Sequence, residues 1–280
     1  MTGLRLLKLG GELLEDPAHL AALASVIASA PGPLVVVHGG GREIDRALAR
    51  AGIARRQVDG LRVTDDATLD VVVEVLAGTV NTKFVSAIVR AGGRAVGLTG
   101  ADAGLVPVVK APAHRAVNGD VVDLGRVGQP SGTGRPDLAL DLVRAGYVPV
   151  VASVAAAADG ALYNVNADTL AADLAARLGA AVMAIAGTTS GVLDEAGRTI
   201  ADLDVRGAEA LVASGVASAG MIAKLTACRD AVLRGVGEVL LIDGRDVRAV
   251  ASALGAIHGS GLSMTRMADA GVQARMENVQ

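Results

Sequence analysis

The sequence predicts an α/β fold: a three-layer αβα sandwich around a mainly parallel central sheet, with an antiparallel edge hairpin as a lid. Three observations carry this expectation. Short Val/Leu/Ile runs alternate with longer Ala-rich stretches of helical spacing along most of the 280 residues. The short runs are continuously apolar, as strands covered on both faces are. Aromatic residues make up 1% of the chain and Trp is absent, so Ala, Val, Leu and Ile must build the core.

The strands this pattern places are Leu4–Leu9, Leu34–Val37, Ala95–Leu98, Val148–Ala152, Ala181–Ala186 and Glu238–Ile242. Helices are expected over Pro17–Ser29, Arg42–Ala51, Ala67–Ala77, Val80–Ala91, Arg135–Ala145, Ala167–Leu178, Ala219–Leu233 and Val247–Leu254. Leu105–Pro130 breaks the rhythm with polar–apolar alternation, and Asn118-Gly119-Asp120 within it signals a hairpin turn. We read it as an antiparallel excursion on the sheet edge, placed to cover a substrate. A composition shift at Ala155–Gly160 marks a seam between an N-terminal lobe, 1–160, and a C-terminal lobe, 161–280. The polar tail Asp269–Gln280 is expected to fray.

Composition narrows the function. The net charge is -3, with Lys and Arg scattered rather than gathered in a stripe, and no aromatic platform exists for stacking bases. Nucleic-acid binding is therefore not expected. The single cysteine, Cys228, excludes an intramolecular disulfide and reads as a small buried helix residue. No signal peptide is evident, and no apolar run approaches the roughly 18 residues of a membrane span. A cytoplasmic protein is the expectation.

Five segments carry possible chemistry. Lys8-Leu9-Gly10-Gly11 ends the first strand with two glycines that let backbone amides approach an anion; a plain tight turn with a solvated lysine is the alternative. His38-Gly39-Gly40-Gly41 lies between a buried strand and a helix, where free amides and the helix dipole favour negative charge. Neither cluster is a P-loop or a dinucleotide fingerprint. His38 reads as a positioning or packing residue. In Asp59-Gly60-Leu61-Arg62-Val63-Thr64-Asp65, Arg62 is suited to bidentate capture of a carboxylate, or else to a surface ion pair. Thr64 or Asp65 can cap the next helix. In Tyr163-Asn164-Val165-Asn166-Ala167-Asp168, three polar side chains two apart share one face if the segment is extended, or one is simply an N-cap. Asp168 can orient lysines or meet Mg²⁺ through water. In Ser218-Ala219-Gly220-Met221-Ile222-Ala223-Lys224, a glycine opens a helix and Lys224 follows one turn later, within reach of a phosphate at that end, or solvated.

In this order and spacing the segments resemble the amino-acid kinase family. The resemblance runs from about Leu4 to Gly261, and its most telling stretches are VVVHGGG (Val35–Gly41), GLRVTD (Gly60–Asp65) after an Asn-like Asp59, LAGTVN (Leu76–Asn81), GYVPVV (Gly146–Val151), NVNAD (Asn164–Asp168) and GMIAK (Gly220–Lys224). The nearest branch implies ATP-dependent phosphorylation of the γ-carboxylate of N-acetyl-L-glutamate, in arginine biosynthesis, with ATP and Mg²⁺ on the C-terminal half. By the same resemblance Lys8 and Lys224 stabilise the phosphoryl group in flight and Asp168 orients them. Gly10 and Gly11 face the phosphoryl oxygens, and Thr188 and Gly220 face the nucleotide. Gly40 and Gly41 hold the reacting carboxylate, and Arg62 and Asn164 hold the rest of the acceptor. No protein-held metal site is implied.

Two departures stand out. Relatives carry an acidic residue in a nucleotide-side turn that here reads Gly187-Thr188-Thr189-Ser190-Gly191. Either the hydroxyls of Thr188 and Thr189 substitute for it, or nucleotide binding is weak. Gly259-Ser260-Gly261-Leu262 also departs from the usual Gly-x-Gly-Thr ending. The first strand starts by Leu4, leaving no room for the extra helix of arginine-inhibited hexameric members, so the resemblance implies a homodimer without arginine feedback. Three rival readings are a kinase for carrier-protein-bound aminoadipate or glutamate, a non-catalytic amino-acid sensor, and a dinucleotide-dependent oxidoreductase lacking its fingerprint.

Overall fold

The computed structural model describes residues 3–194, 196–213, 219–257 and 262–269. Ser218, Gly259-Ser260-Gly261 and the tail beyond Asp269, on which some expectations above fall, lie outside the described residues.

In chain order the strands are β1 Arg5–Leu9, β2 Leu34–His38, β3 Gln57–Val58, β4 Leu61–Arg62, β5 Ala95–Thr99, β6 Val108–Lys110, β7 His114–Arg115, β8 Val121–Val122, β9 Val127–Pro130, β10 Val148–Ala152, β11 Val154–Ala156, β12 Leu162–Val165, β13 Val182–Gly187, β14 Asp202–Leu203, β15 Glu238–Asp243 and β16 Met264–Met267. The α-helices are α1 Pro17–Ala28, α2 Gly41–Arg50, α3 Asp66–Val73, α4 Asn81–Arg90, α5 Asp137–Arg144, α6 Ala167–Arg177, α7 Val205–Ala213, α8 Ala219–Leu233 and α9 Val247–Ala253.

Eight strands form the central sheet, in the order β14-β16-β15-β13-β1-β2-β10-β5. All its pairings are parallel except β15 with β16. The inner strands β1, β2, β10, β13 and β15 are largely apolar on both faces because helices cover both. Leu6, Val35, Val37, Val151, Met183, Ile185 and Val239 pack into one core with α5, α6 and α8. Their sequence neighbours Leu7, Val36, Val150, Ala184 and Leu240 pack into the other with α1, α2, α3, α4 and α9. That period of two is the side-chain alternation of a strand, and it yields the expected three layers.

The two helices expected over 67–77 and 80–91 are one. Residues Glu74–Val80 wind as a π-helix that joins α3 to α4, so Gly78-Thr79 does not interrupt the run. Burial explains why. Val72, Leu76, Val80, Phe84 and Ile88 are buried and recur every four residues. A step of four overshoots the 3.6-residue α-turn, so the stripe would drift around the helix; wider π turns take up the excess. The joined helix, Asp66–Arg90, is by length and composition apolar enough to cross a membrane, a property the two halves counted separately lacked. Here the stripe of Val72, Leu76, Val80, Phe84 and Ile88 lies in the core beneath the sheet.

The excursion over 105–130 is antiparallel, but it does not extend the edge of the main sheet. β6 and β9 join β12 and β11 in a separate four-stranded sheet, and β7 pairs β8 as an outlying hairpin across the expected Asn118-Gly119 turn. The seam at 155–160 is the turn between β11 and β12. The short strands β3, β4, β11, β12, β14 and β16 escaped the sequence reading, because two- to four-residue strands carry too little periodicity to register, and the nine-residue helix α7 escaped it as well.

Candidate active site

The site sits at the carboxyl ends of the middle strands, where open parallel sheets place their ligands. β1 contributes Lys8 on the face shared with Leu6, toward α6 and α8. Gly10 and Gly11 follow, with Gly10 N donating to Ala186 O at 3.1 Å and Gly11 opening a 3₁₀ turn over Gly11–Leu14. β2 feeds Gly39 and Gly40, and α2 begins at Gly41. The two glycine loops touch. A Cβ at Gly11 would lie 2.4 Å from Gly40 Cα, and one at Gly40 would lie 2.7 Å from Leu76 Cδ2 in the π segment. Gly41 has open space, so its role cannot be steric.

β12 and α6 supply the opposite wall. Asn164 Nδ2 donates to the buried Thr64 Oγ1 at 3.2 Å, fastening β12 to the segment between β4 and α3. Asn166 is the N-cap of α6; its Oδ1 accepts from the amides of Asp168 at 2.9 Å and Thr169 at 3.1 Å. The expectation that Asn164, Asn166 and Asp168 share one face of an extended segment holds in part: the strand ends at Val165, yet all three residues line the same cleft. The chain turns into a helix at Ala167, and only Asn166 plays the capping part. Asp168, in the first helical turn, stands 2.8 Å from Lys8 Nζ, and both side chains are at most a tenth exposed.

Lys8, Gly10, Gly11, Gly40, Gly41, Arg62, Asn164 and Asp168 line one cleft of about 250 Å³. The N-termini of α2 and α6 both open onto it, so partial positive charge from two helices adds to that of Lys8 and Arg62. A cleft of this character suits a small anion.

Arg62 is not a surface ion pair. Its side chain is 8% exposed, and Nη2 bonds to Asp45 and to Gly41 O. Nη1 is buried with no protein partner, which leaves a donor for a ligand in the cleft. Asp45 escaped the sequence reading because it lies on α2, 17 residues away, with nothing local to mark it. Asp65, rather than Thr64, caps α3 through a bond from Thr68 N at 2.8 Å.

The remaining residues lie outside this cleft. Lys224 sits one turn into α8, and its Nζ would be 3.3 Å from a Cβ at Gly187, the last residue of β13. Gly220 has open space around it, and Thr188 and Thr189 are exposed just beyond Gly187. Cys228 lies on α8, one turn beyond Lys224. It is fully buried, and burial pushes its thiol far up, with Asp168 adding to the shift and Lys224 and Lys8 opposing it.

His38 faces away from the cleft, into the other core. Its Nδ1–H donates to Gly39 O at 3.0 Å, its Nε2 accepts from Asn81 Nδ2 at 3.0 Å, and Phe84 packs edge-on at 6.2 Å between ring centroids. Asn81 also donates to Val150 O at 2.9 Å, so one side chain ties α4 to β2 and β10. Burial lowers the His38 pKa from 6.5 to about 4. His38 is therefore a neutral structural residue and not an acid or base.

A pH dependence follows. Between pH 6.5 and 4 an unfolded His38 binds a proton that the folded one refuses, so stability falls as pH falls through that window and levels off below it. The loss is about 3 kcal/mol. Urea titrations across this range should show it, and His38→Gln should flatten that part of the curve. Equal slopes in both proteins would remove the assignment.

The model of the amino acid kinase family matches residues 3–243. The chain belongs to the amino acid kinase family. Among relatives of this kinase, the acetylglutamate kinase of Chloroflexus aurantiacus is 41% identical over 245 residues, 87% of this chain and 93% of that one. The acetylglutamate kinase of Novosphingobium aromaticivorans is 41% identical over 261 residues, 89% and 84% of the two chains. Among solved structures, the N-acetylglutamate synthase of Neisseria gonorrhoeae complexed with coenzyme A and N-acetyl-glutamate superposes with a TM-score of 0.79 at 22% identity. It covers 95% of this kinase, which spans only 59% of the synthase, and at that identity it bears on the fold alone. Family membership makes the chain a kinase and implies ATP as its phosphoryl donor.

Proposed function

We propose that this kinase phosphorylates the γ-carboxylate of N-acetyl-L-glutamate with ATP, yielding an acyl phosphate for arginine biosynthesis. The observation that carries the reading is the 41% identity to an acetylglutamate kinase over nearly the whole of both chains. The cleft supports it, being small, lined by backbone amides and provided with one spare buried guanidinium donor.

A carboxylate is already a nucleophile at neutral pH, so no general base is needed, and none of the cleft side chains has to act as one. Catalysis then rests on positioning and on neutralising charge. In this reading Arg62 and Asn164 hold the acceptor's far end, while the amides of Gly40 and Gly41 hold the reacting carboxylate. Lys8, the amide of Gly11 and Lys224 surround the transferred phosphoryl oxygens, while Gly10, whose amide is held by Ala186 O, shapes the turn. Asp168 keeps Lys8 aimed and balances its charge.

ATP would lie toward α8, with Gly220 at the helix opening and Thr188 beside it. Among the described residues no group of three or more His, Cys, Asp or Glu side chains is placed to hold a metal. Mg²⁺ would then be carried on the nucleotide's phosphates, with Asp168 reaching it through water. The halves 1–160 and 161–280 would serve acceptor and nucleotide respectively, in a cytoplasmic homodimer.

The test is a coupled assay of ADP release with N-acetyl-L-glutamate. Turnover that needs the free acetylated amino acid supports the reading. No ADP at millimolar acceptor, or turnover only with a carrier-bound acceptor, would overturn it.

A further inference from the structure

Asp59 holds a left-handed backbone conformation, φ 48°, at the tip of the β3–β4 hairpin just before Gly60. A side chain in that region carries a conformational cost that glycine avoids. The contacts of this side chain offset it. Asp59 Oδ2 accepts from His114 Nε2 at 2.7 Å and from the Val117 amide at 3.0 Å. His114 opens β7, and Val117 lies in the connection to β8, so both partners belong to the outlying hairpin, 55 and 58 residues along the chain. The bond from His114 and the Val117 amide hold the Asp59 carboxyl below the usual carboxylate range.

The β3–β4 hairpin needs such support. Its own ladder is two residue pairs, Gln57↔Arg62 and Val58↔Leu61, and isolated two-stranded hairpins are marginal in water. Its base is fastened by Arg62 to Asp45 and by Thr64 N to Leu124 O. Its tip is fastened through Asp59. Yet the inner side of this hairpin, Gln57, Gly60, Leu61 and Arg62, is one wall of the cleft, whereas Asp59 itself does not line it.

We propose that Asp59 and His114 form a latch that clamps the tip of the 57–62 hairpin to the 114–122 hairpin and so positions the acceptor-binding wall of the cleft. Both are positioning residues that act through Gly60, Leu61 and Arg62. The proposal rests on the acceptor reading given above, and its test separates the two.

Asp59→Gly keeps the left-handed backbone, relieves its strain and deletes the latch. His114→Ala deletes the partner, while His114→Gln retains a donor. Steady-state kinetics with N-acetyl-L-glutamate should show the acceptor KM raised about tenfold in Asp59→Gly and His114→Ala, the loss of a charge-assisted bond. The KM for ATP and kcat should stay within about twofold, and His114→Gln should recover most of the loss. Unchanged acceptor KM in Asp59→Gly overturns the latch, as does a parallel fall in kcat and in both affinities. Amide exchange at Val117 in the ligand-free protein stands apart from turnover. Faster exchange in Asp59→Gly supports the latch even if the wild-type protein leaves N-acetyl-L-glutamate unphosphorylated, a result that would sink the acceptor reading alone. Equal exchange in the two proteins overturns the latch whatever the kinetics.

Discussion

Replacing Lys224 with alanine should lower kcat by about 10²- to 10³-fold while moving either KM by no more than a few-fold. The magnitude is that of removing one preorganised donor aimed at charge that develops in the transition state. Position supports the role. Lys224 projects from the first turns of α8 against Gly187, at the carboxyl end of a central strand, where any side chain would crowd its Nζ. Lys224 does not line the cleft that holds the Lys8–Asp168 pair, so its part in the transfer is what this variant tests. An interaction made only in the transition state lowers kcat and kcat/KM alike. Initial-rate kinetics on purified Lys224→Ala would settle the point. Wild-type kcat, or a loss confined to KM for ATP, would remove Lys224 from the chemical step. The first of these results would also revive the reading of the chain as a sensor that has lost turnover.

Asp168→Asn should both destabilise the protein, by about 3 kcal/mol, and abolish most turnover. The Lys8–Asp168 pair is 2.8 Å long, and its side chains are 8% and 10% exposed, so solvent screens it little. Removing the carboxylate leaves a buried ammonium without its counter-charge, and that is the costly half of breaking such a pair. Replacing both partners with neutral groups of similar size costs far less. Lys8→Met combined with Asp168→Asn is therefore expected to regain most of the lost stability in urea denaturation while remaining inactive. That split separates the two roles of the pair. Recovery of activity in the double variant would show that neither charge is needed for transfer. A single Asp168→Asn variant as stable as wild type would show that water reaches Lys8 freely in the folded protein.

Much of the site was legible along the chain because its parts are short and local. A glycine pair after a strand, a glycine run before a helix, and a lysine one turn into a helix are each set by a few consecutive residues. Eight of the named positions, from Lys8 to Asp168, do line one cleft. What failed did so where a local bend or a distant partner decides. The three polar residues at 164, 166 and 168 line the cleft together, but not from one extended segment, since the chain bends into α6 between them. The partners of Arg62, Asn164 and Asp59 lie 17, 100 and 55 residues away, and no local pattern names them.

The sequence by itself determined the layered α/β fold, where its buried strands lie along the chain and the segments that carry the chemistry. These follow from periodicity and from backbone freedom, which are properties of neighbouring residues. Tertiary structure alone decided three things. It joined two helices through a π segment, because a four-residue stripe had to stay against the sheet. It neutralised His38 by burying it behind the glycine loop, since an imidazolium there would have no water and no counter-charge. And it brought the backbones of Gly11 and Gly40 into contact, the close approach that turns two separate loops into one anion-binding cleft.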